Sequence, residues 1–350
     1  MTTSINETPE TEKSKTKSSI AETDIAKHLN SLGHLTETYL DQKAKEYVAP
    51  ARKNLGVVTV AVVREIIAPT IFKHEDEEPL TVDIADNSYL RATPSKFKFV
   101  ERGRTLEVLR ALELGGVNAQ NRIFVPKGKA SGDYFDMATF LLGESGQGDG
   151  RVLSSTAAVK YSDALSTQPE AFCVDSTFHV RGSEQGTLFD EVNKKNTDNL
   201  FSRIFIKPNT LFAQTLTFTG KTAPAEIVDL LLAILASPKA YGGQTSVTGI
   251  NVRTHIAGVF GGDFEVAENA PYVLLPELLV RLSEDDTQNV NAVKQAVFDI
   301  FSERYPSAVG SDVVEEIQCA QLDKIQERKH DEFTAAAAAI SDYYTRYFDK

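Results

Sequence analysis

Residues 55–67 constrain the fold more than any other stretch of this sequence. The apolar β-branched residues of the run are Val57, Val58, Val60, Val62, Val63, Ile66 and Ile67. Such side chains pack well on a pleated sheet and lose rotamer freedom in a helix, so the run predicts a buried β-strand. Arg64 and Glu65 interrupt the run near its end. The chain must therefore build a sheet around this strand.

Patterns farther along the chain give the order of the other core elements. Thr105 is a suitable N-cap for a helix with an apolar face over residues 105–114. Residues 203–219 alternate as two strands around a Pro-Asn turn, and residues 224–235 form a helix that a proline opens. Residues 241–265 add a loop and a final strand. The order strand, helix, two strands, helix, strand predicts an α+β fold with a ferredoxin-like, RNA-recognition-like βαββαβ core.

Shifts in composition divide the chain into five expected parts. They are a disordered tail (1–23), an N-terminal helical segment (24–50), the RNA-recognition-like core (51–116 and 201–268), a large insertion (117–200) and an acidic helical C-terminal region (269–350). The tail is rich in Thr, Ser, Glu and Lys and has almost no apolar residues to bury. In the C-terminal region we expect peripheral helices at 274–282, 289–301, 311–327 and 332–348.

Charge is distributed unevenly along the chain. The net charge of −12 argues against a surface that binds nucleic acid non-specifically, because such binding depends on Lys and Arg. However, residues 1–90 carry −5, residues 91–261 carry +3 and residues 263–350 carry −10. An anionic partner is therefore expected on the middle part of the chain.

Cysteine and apolar content indicate the compartment. Cys173 and Cys319 are the two cysteines and lie far apart in sequence, which fits a reducing environment without a disulfide framework. No segment approaches the roughly 20 apolar residues that cross a bilayer. We expect a cytoplasmic protein without a membrane partner.

A basic segment at residues 91–110 is the first candidate site. Its cations are Arg91, Lys96, Lys98, Arg102, Arg104 and Arg110, against the carboxylates of Glu101 and Glu107. With the helix beginning at Thr105, most of these cations fall in the loop that enters it, where unpaired N–H groups and the helix dipole favour phosphate. The alternative is an ordinary surface helix with scattered arginines.

A second candidate site lies at residues 241–265. A Gly/Ser/Thr loop without acidic residues precedes an alternating strand that would carry Asn251, Arg253 and His255 on one face. Backbone N–H groups and short hydroxyls approach phosphates closely. The alternative is an edge strand beside a mobile loop.

Motifs for other chemistry are weak. Residues 220–222 (Gly-Lys-Thr) precede a helix, but Thr215 stands where a Walker A motif needs its first glycine. Cys173, Asp175 and His179 are more typical of a buried thiol and a satisfied histidine than of a metal site. The chain has no Trp and no aromatic RNP signature, so sequence-specific base stacking is not expected. We therefore expect no cofactor and no metal.

Three segments, in this order, resemble one protein family. They are residues 64–72 (Arg-Glu-Ile-Ile-Ala-Pro-Thr-Ile-Phe), the basic segment at 91–110, and residues 241–249 (Tyr-Gly-Gly-Gln-Thr-Ser-Val-Thr-Gly) with the strand that follows and Gly262-Asp263. Together they resemble the CRISPR type I-D Cascade backbone subunit, which belongs to the Cas-seven group of RAMP proteins. The likeness spans about residues 57–279.

The resemblance implies a function in antiviral defence. Copies of such a subunit stack side by side in a helical filament along a guide RNA (crRNA), and other Cascade subunits complete the complex. They hold the RNA backbone independently of sequence and leave the bases to pair with a target nucleic acid. The RNA contacts it implies are Ser95, Lys96, Lys98, Arg102, Arg104, Gly242, Gly243, Gln244, Thr248, Asn251 and Arg253, with Lys160 and His255 as further candidates.

The sequence departs from the family at one point. Family members often carry a zinc-binding cysteine cluster before the turn matched here by residues 143–146, whereas residues 121–142 contain no cysteine. We therefore expect no zinc and an insertion held by aromatic packing. Its packing residues would be Phe124, Tyr134, Phe135 and Phe140.

Two other functions stay open. Related RAMP subunits cut target RNA with an acidic residue, so a nuclease is one alternative, with Asp76 or Asp83 as the acidic candidate and His255 as a base. An acidic scaffold that binds proteins through its C-terminal helices is the other. No catalytic residue is assigned.

Overall fold

The computed structural model describes residues 16–37, 39–48, 55–72, 79–117, 124, 131–148, 150–180, 189–190, 194–196, 200–218, 223–243 and 248–348. The strands are β1 (Tyr39–Asp41), β2 (Glu46–Val48), β3 (Val57–Ile66), β4 (Leu80–Ile84), β5 (Asn87–Ala92), β6 (Glu144–Gly148), β7 (Arg151–Ser155), β8 (Val159–Tyr161), β9 (Ala164–Pro169), β10 (Val174–Val180), β11 (Phe189–Asp190), β12 (Lys195–Asn196), β13 (Leu200–Ile206), β14 (Leu211–Phe218), β15 (Val252–Gly262) and β16 (Ser307–Gly310). The α-helices are α1 (Leu32–Thr36), α2 (Pro94–Ala111), α3 (Met137–Leu142), α4 (Glu170–Cys173), α5 (Ala225–Ala236), α6 (Pro271–Arg281), α7 (Val290–Ser302), α8 (Ser311–Glu327) and α9 (Asp331–Phe348). None of the helices in these ranges is long and apolar enough to span a bilayer.

β3 lies near the centre of the main sheet. The sheet has eight strands in the order β16-β15-β3-β14-β9-β5-β4, with β8 also paired to β14, and the pairings are antiparallel. Every position of β3 is buried except the partly exposed Glu65. The predicted buried strand is therefore confirmed.

The core follows the predicted βαββαβ order. β3, α2, β9, β14, α5 and β15 succeed one another along the chain, and the four strands lie side by side as β15-β3-β14-β9. In this ferredoxin-like arrangement the first and third strands form the centre of the sheet. The α+β fold class is confirmed.

The second core strand differs from the prediction. β8 and β9, which lie within residues 117–200, pair with β14, whereas β13 pairs with β10 in a separate two-stranded sheet. Alternation along a segment predicts a strand but does not specify its partner. Part of residues 117–200 therefore belongs to the core rather than to an insertion, and residues 203–207 do not supply the second core strand.

Helices cover both faces of the sheet. α2, α5, α8 and α9 contribute to the cluster on the face that carries Val58, Val60 and Val62. α6 and α7 pack on the opposite face, against Ala61 and Val63. The helices from α6 onward begin and end within three residues of the predicted positions, while β16 between α7 and α8 was not predicted. The helices leave part of the second face open, where Arg253 and Lys160 are 60% and 63% exposed.

The N-terminal segment differs from the prediction. Residues 16–23 of the expected tail are anchored, because Ile20 is fully buried and two groups donate to a carboxylate of α5. Ser19 Oγ donates to Asp229 Oδ2 at 2.6 Å, and the Ile20 N–H donates to Asp229 Oδ1 at 2.9 Å. Residues 24–37 and 39–48 contain a 3-10 turn, α1 and the β1–β2 hairpin rather than an amphipathic helix or helix pair.

An ion pair lies inside the core between β3 and α2. Arg64 Nη1 is 2.5 Å from Glu101 Oε1, and the two side chains are 0% and 1% exposed. Burial by itself lowers the pKa of the Arg64 guanidinium, but the Glu101 carboxylate raises that pKa above its usual value. The guanidinium therefore keeps its charge inside the protein.

Other polar groups of the core surround this ion pair. Tyr161 Oη donates to Glu101 Oε2 at 2.6 Å, and Tyr241 Oη donates to the other carboxylate oxygen at 3.2 Å. The guanidinium donates to Gln214 Oε1 at 3.1 Å and to Thr254 Oγ1 at 2.7 Å. Burial and the nearby carboxylate raise the pKa of both tyrosines, so their hydroxyls stay protonated donors. The network joins β3, α2, β8, β14, β15 and the loop before β15.

The two members of this ion pair are expected to contribute to the free energy of unfolding in a non-additive way. Glu101→Ala leaves the Arg64 charge buried and unpaired, and should lower the free energy of unfolding by about 3–5 kcal/mol. Replacing both residues by Met should cost less than the sum of the two single changes. Urea unfolding measures each value. Glu303→Ala is the control, since it breaks an exposed pair with Arg281 and should cost much less. Equal costs at positions 101 and 303 would contradict this role.

Asp229 is expected to make stability depend on pH. Burial raises the pKa of its carboxyl to about 7, although the hydrogen bonds from Ser19 and Ile20 oppose the shift. An unfolded Asp has a pKa of about 3.9, so between these values the proton is bound in the folded state alone. Stability should therefore fall as pH rises through this window, by on the order of 4 kcal/mol.

Asp229→Asn should remove this part of the pH dependence, because the amide keeps an acceptor oxygen and has no proton to lose. Chemical unfolding of both proteins between about pH 4 and pH 8 tests it. The other titrating groups are shared, so the stability of the variant relative to the parent should grow with pH. If the free energies of unfolding of the two proteins change with pH in parallel, the buried Asp229 carboxyl does not make stability depend on pH.

Candidate nucleic-acid interface

The basic segment is helical, and the prediction of a loop is wrong. α2 begins at Pro94, a favoured first helical residue, and Thr93 occupies the N-cap position. Thr105, the predicted N-cap, lies buried inside the helix and donates its hydroxyl to the Glu101 carbonyl at 2.8 Å. The buried face of α2 includes Glu101, Arg102 and Thr105, and these polar residues hide the apolar period of the helix.

Two of the predicted RNA contacts hold α2 to its neighbours. Arg102 is 5% exposed, donates to Glu144 Oε2 at 3.1 Å and also donates to the Gly143 carbonyl. Burial lowers the pKa of Arg102, although Glu144 opposes the shift. Arg104 donates to Glu107 Oε2 at 3.1 Å and to a backbone carbonyl after α5 at 3.0 Å. Both guanidiniums are therefore bound to other parts of the chain, Arg102 inside the protein and Arg104 at its surface.

The first two turns of α2 present the accessible part of the basic set. Ser95 is exposed, and Lys96 and Lys98 are partly exposed. Burial lowers the pKa of both lysines, and the charge of Arg102 adds to the effect at Lys98. The Lys98 ammonium lies 5.8 Å from the centre of the Tyr161 ring. These side chains can meet an anion that approaches the N-terminal end of the helix.

Asn251 holds the start of the loop at residues 241–249, here called the glycine loop, from inside the protein. It is fully buried, its Nδ2 donates to the Tyr241 carbonyl, and its Oδ1 accepts from the Tyr241 N–H, both at 2.8 Å. Because both ends of the amide are engaged, Asn251 supports the loop and does not lie on an exposed strand face. Through Tyr241 the loop also contacts Glu101 of α2.

The two glycines of the loop meet the segment that follows β3. Gly242 has φ 79°, and a Cβ at this position would lie 2.3 Å from the Ile71 carbonyl oxygen. The Gly243 N–H donates to the same oxygen at 2.8 Å. Glycine is needed for so close an approach of two backbones. Residues 64–72 and the glycine loop, both part of the family resemblance, are thus in direct contact.

Arg253 and His255 face away from α2. Thr254 points toward α2, where it accepts from Arg64, and side chains alternate along a strand. On the opposite face, Glu65 Oε2 lies 3.5 Å from Arg253 Nη1 and 2.7 Å from His255 Nε2. The carboxylate therefore pairs with both predicted contacts.

The predicted set divides between two faces. Lys160, 63% exposed, pairs with Glu265 at 3.5 Å on the face opposite to that of its neighbour Tyr161. Thr248 is partly buried, and Gln244 lies outside the described residues. α2 and the glycine loop meet on one side, whereas Arg253, His255 and Lys160 lie on the other.

The sequence analysis missed the residues that hold this site together. Arg64 gave a usable signal, because a charge within an apolar strand must be partnered if it is buried. Its partner Glu101 lies 37 positions away, and nothing local identifies it. Tyr161, Tyr241 and Gln214 look like ordinary polar residues of strands and loops.

The structure also places the acidic candidates and the predicted aromatic packing residues. No group of three or more His, Cys, Asp or Glu within the described ranges is placed to hold a metal ion. Asp83 is exposed on β4, and Asp76 lies outside those ranges. Phe135 and Phe140 are buried against α9 as expected, with ring centres 5.4 and 6.5 Å from that of Tyr344. Phe124 is half exposed and lies on α2, so it does not pack inside an insertion.

Comparison with known proteins gives one family and one fold. The model of the Csc2 CRISPR family matches residues 88–337. The crystal structure of Csc2 from Thermofilum pendens has a TM-score of 0.59 at 13% identity, over 93% of this chain and 94% of that one. At this identity the likeness shows the fold alone. No curated protein matches the sequence.

Two chains from larger assemblies are more distantly similar. A chain of a CRISPR RNA-guided surveillance complex has a TM-score of 0.42 at 12% identity, over 71% of this chain and 86% of that one. A chain of such a complex in a pre-nicking state has a TM-score of 0.45 at 12% identity, over 72% and 90%. Both similarities are too weak to support a conclusion.

The placements of Asn251 and Arg253 lead to opposite expectations for stability. Asn251→Ala leaves the buried N–H and C=O of Tyr241 without partners, at about 1–3 kcal/mol each. Arg253→Ala removes a side chain that is 60% exposed and should change the free energy of unfolding by less than about 0.5 kcal/mol. Urea unfolding of both variants measures the contrast. A stable Asn251→Ala protein would mean that the amide does not support the loop.

Proposed function

The chain belongs to the Csc2 CRISPR family, and from this premise we propose that it binds guide RNA (crRNA) as a backbone subunit of a CRISPR surveillance complex. The family match supports the proposal more than any other observation. It covers residues 88–337, and so includes α2, the glycine loop and β15.

The surface of α2 supports a role in binding an anion. Residues 91–110 hold six cations and two carboxylates in a chain of net charge −12. Ser95, Lys96 and Lys98 lie at the helix N-terminus, where the dipole adds to the attraction of phosphate. Contacts of this kind position a nucleic-acid backbone and read no sequence. The binding we propose is therefore independent of RNA sequence.

The finer assignment rests on the family resemblance. We propose a type I-D complex in antiviral defence, in which copies of the chain form a helical filament along the guide and other Cascade subunits complete it. The guide bases, rather than the protein, recognise the target nucleic acid.

A nuclease remains the second candidate because of one contact. His255 Nε2 lies 2.7 Å from Glu65 Oε2, and both side chains are partly exposed. A carboxylate that orients a histidine is the arrangement of a general base. Arg253 lies beside the pair, with Nη1 3.5 Å from the same carboxylate oxygen. This pair is on the opposite sheet face from α2, so cleavage would need RNA on that face as well.

Binding to generic single-stranded RNA at several salt concentrations tests the proposal. The protein should bind oligo(U) and oligo(A) alike, with affinity that falls steeply as salt rises. Replacing both Lys96 and Lys98 by Ala should weaken binding to all sequences and reduce the log–log salt slope by about 0.7 for each phosphate that the variant no longer neutralises. Lys329→Ala, at a site that is 76% exposed between α8 and α9, is the control.

The same samples separate the alternatives. Recovered RNA that runs at full length on a denaturing gel fits a binding subunit, whereas shortening that His255→Ala abolishes would indicate the nuclease. No binding at low salt, or a slope near zero, would contradict the RNA proposal and favour the acidic scaffold.

A further inference from the structure

Two aromatic side chains lie together on the outer surface of α2. Phe99 is 51% exposed and Phe124 is 50% exposed, and their ring centres are 6.1 Å apart. Large apolar side chains in contact on a surface indicate a binding site more often than single exposed ones do. The guanidinium carbon of Arg102 lies 5.3 Å from the centre of the Phe124 ring and fixes that ring against the helix.

Gly103 leaves the space beside Phe99 open. It lies four residues after Phe99 and therefore next to it on the helix surface. Glycine destabilises a helix interior relative to other residues, so its presence needs a reason. Packing does not provide one, because a Cβ at Gly103 would meet a single group, Lys239 Nζ, at the ordinary distance of 3.6 Å. A ligand that comes close to the helix backbone would provide a reason for a glycine at this position.

The charges around this opening suit a nucleic-acid strand. Lys239 and Arg104 lie on one side of Gly103, and both pair with Glu107. Lys96 lies on the other side, about two turns before Gly103 on the same face of the helix. A phosphate on either side of the aromatic pair would thus find cations within the reach of a flexible side chain.

We propose that Phe99, supported by Phe124, stacks on an unpaired base of bound single-stranded RNA while the RNA backbone passes over Gly103. This inference rests on the proposed RNA-binding function and adds a contact to a base. A phenyl ring offers no hydrogen bond to a base edge, so the site tolerates any base. It therefore does not conflict with the absence of a sequence-reading motif.

The test compares two ligands of the same length, oligo(U) and an oligomer of abasic ribose phosphates. Phe99→Ala should weaken binding of oligo(U) by roughly 5- to 100-fold, the worth of one stacked base, and leave the abasic oligomer unaffected. Phe172→Ala is the control, because Phe172 is 63% exposed but lies on α4, away from this helix. It should change neither affinity.

Gly103→Leu separates a binding role from a structural one. Leucine favours helix formation, so the variant should have a higher melting temperature while its long side chain covers the Phe99 ring and weakens oligo(U) binding as Phe99→Ala does. If the parent binds both ligands and Phe99→Ala changes neither affinity, or changes both equally, the stacking site is wrong and the RNA-binding proposal stands. If the parent binds neither ligand, the RNA-binding proposal itself fails.

Discussion

Burial of the Arg64–Glu101 ion pair is the constraint on which the rest of the structure depends. A charge in a protein core is costly unless its partner is in place, so each member requires the other and α2 is fixed against β3. Tyr161 and Tyr241 donate hydrogen bonds to the Glu101 carboxylate. Burial and the charge of Glu101 raise the pKa of both tyrosines, so their hydroxyls stay protonated. Since Asn251 clamps the backbone of Tyr241, the glycine loop is positioned by the same ion pair.

This arrangement separates residues that support the site from residues that can touch a ligand. Arg102 and Asn251 lie inside, where their polar groups bind other parts of the chain. On α2, Lys96 is partly exposed and Phe99 is exposed, so a ligand can reach both. Some cations of the basic segment therefore bind other parts of the chain and others are accessible to a ligand. The formal charge of the segment is larger than the charge available to bind an anion.

The two faces of the sheet explain why Arg253 and His255 of the second candidate site lie apart from the basic segment at residues 91–110. Thr254 and Arg64 point to α2, so the strand places Arg253 and His255 on the other face beside Glu65. Membership in the Csc2 CRISPR family and the shared fold leave room for nucleic acid on either face. Ser95 and Lys96 lie on the α2 side, whereas the Glu65–His255 pair lies on the opposite face.

By itself, the sequence determined the buried strand β3, the βαββαβ order, the C-terminal helices and the basic and glycine-rich segments as candidate sites. Local patterns of β-branched residues, helical periods and glycine predict these features. The tertiary structure alone decided that β8 and β9 complete the core, that α2 begins at Pro94, and that Asn251 lies buried. The physical reason is that strand pairing and charge burial join residues far apart in the chain, such as Arg64 and Glu101, and a local pattern holds no information about such partners.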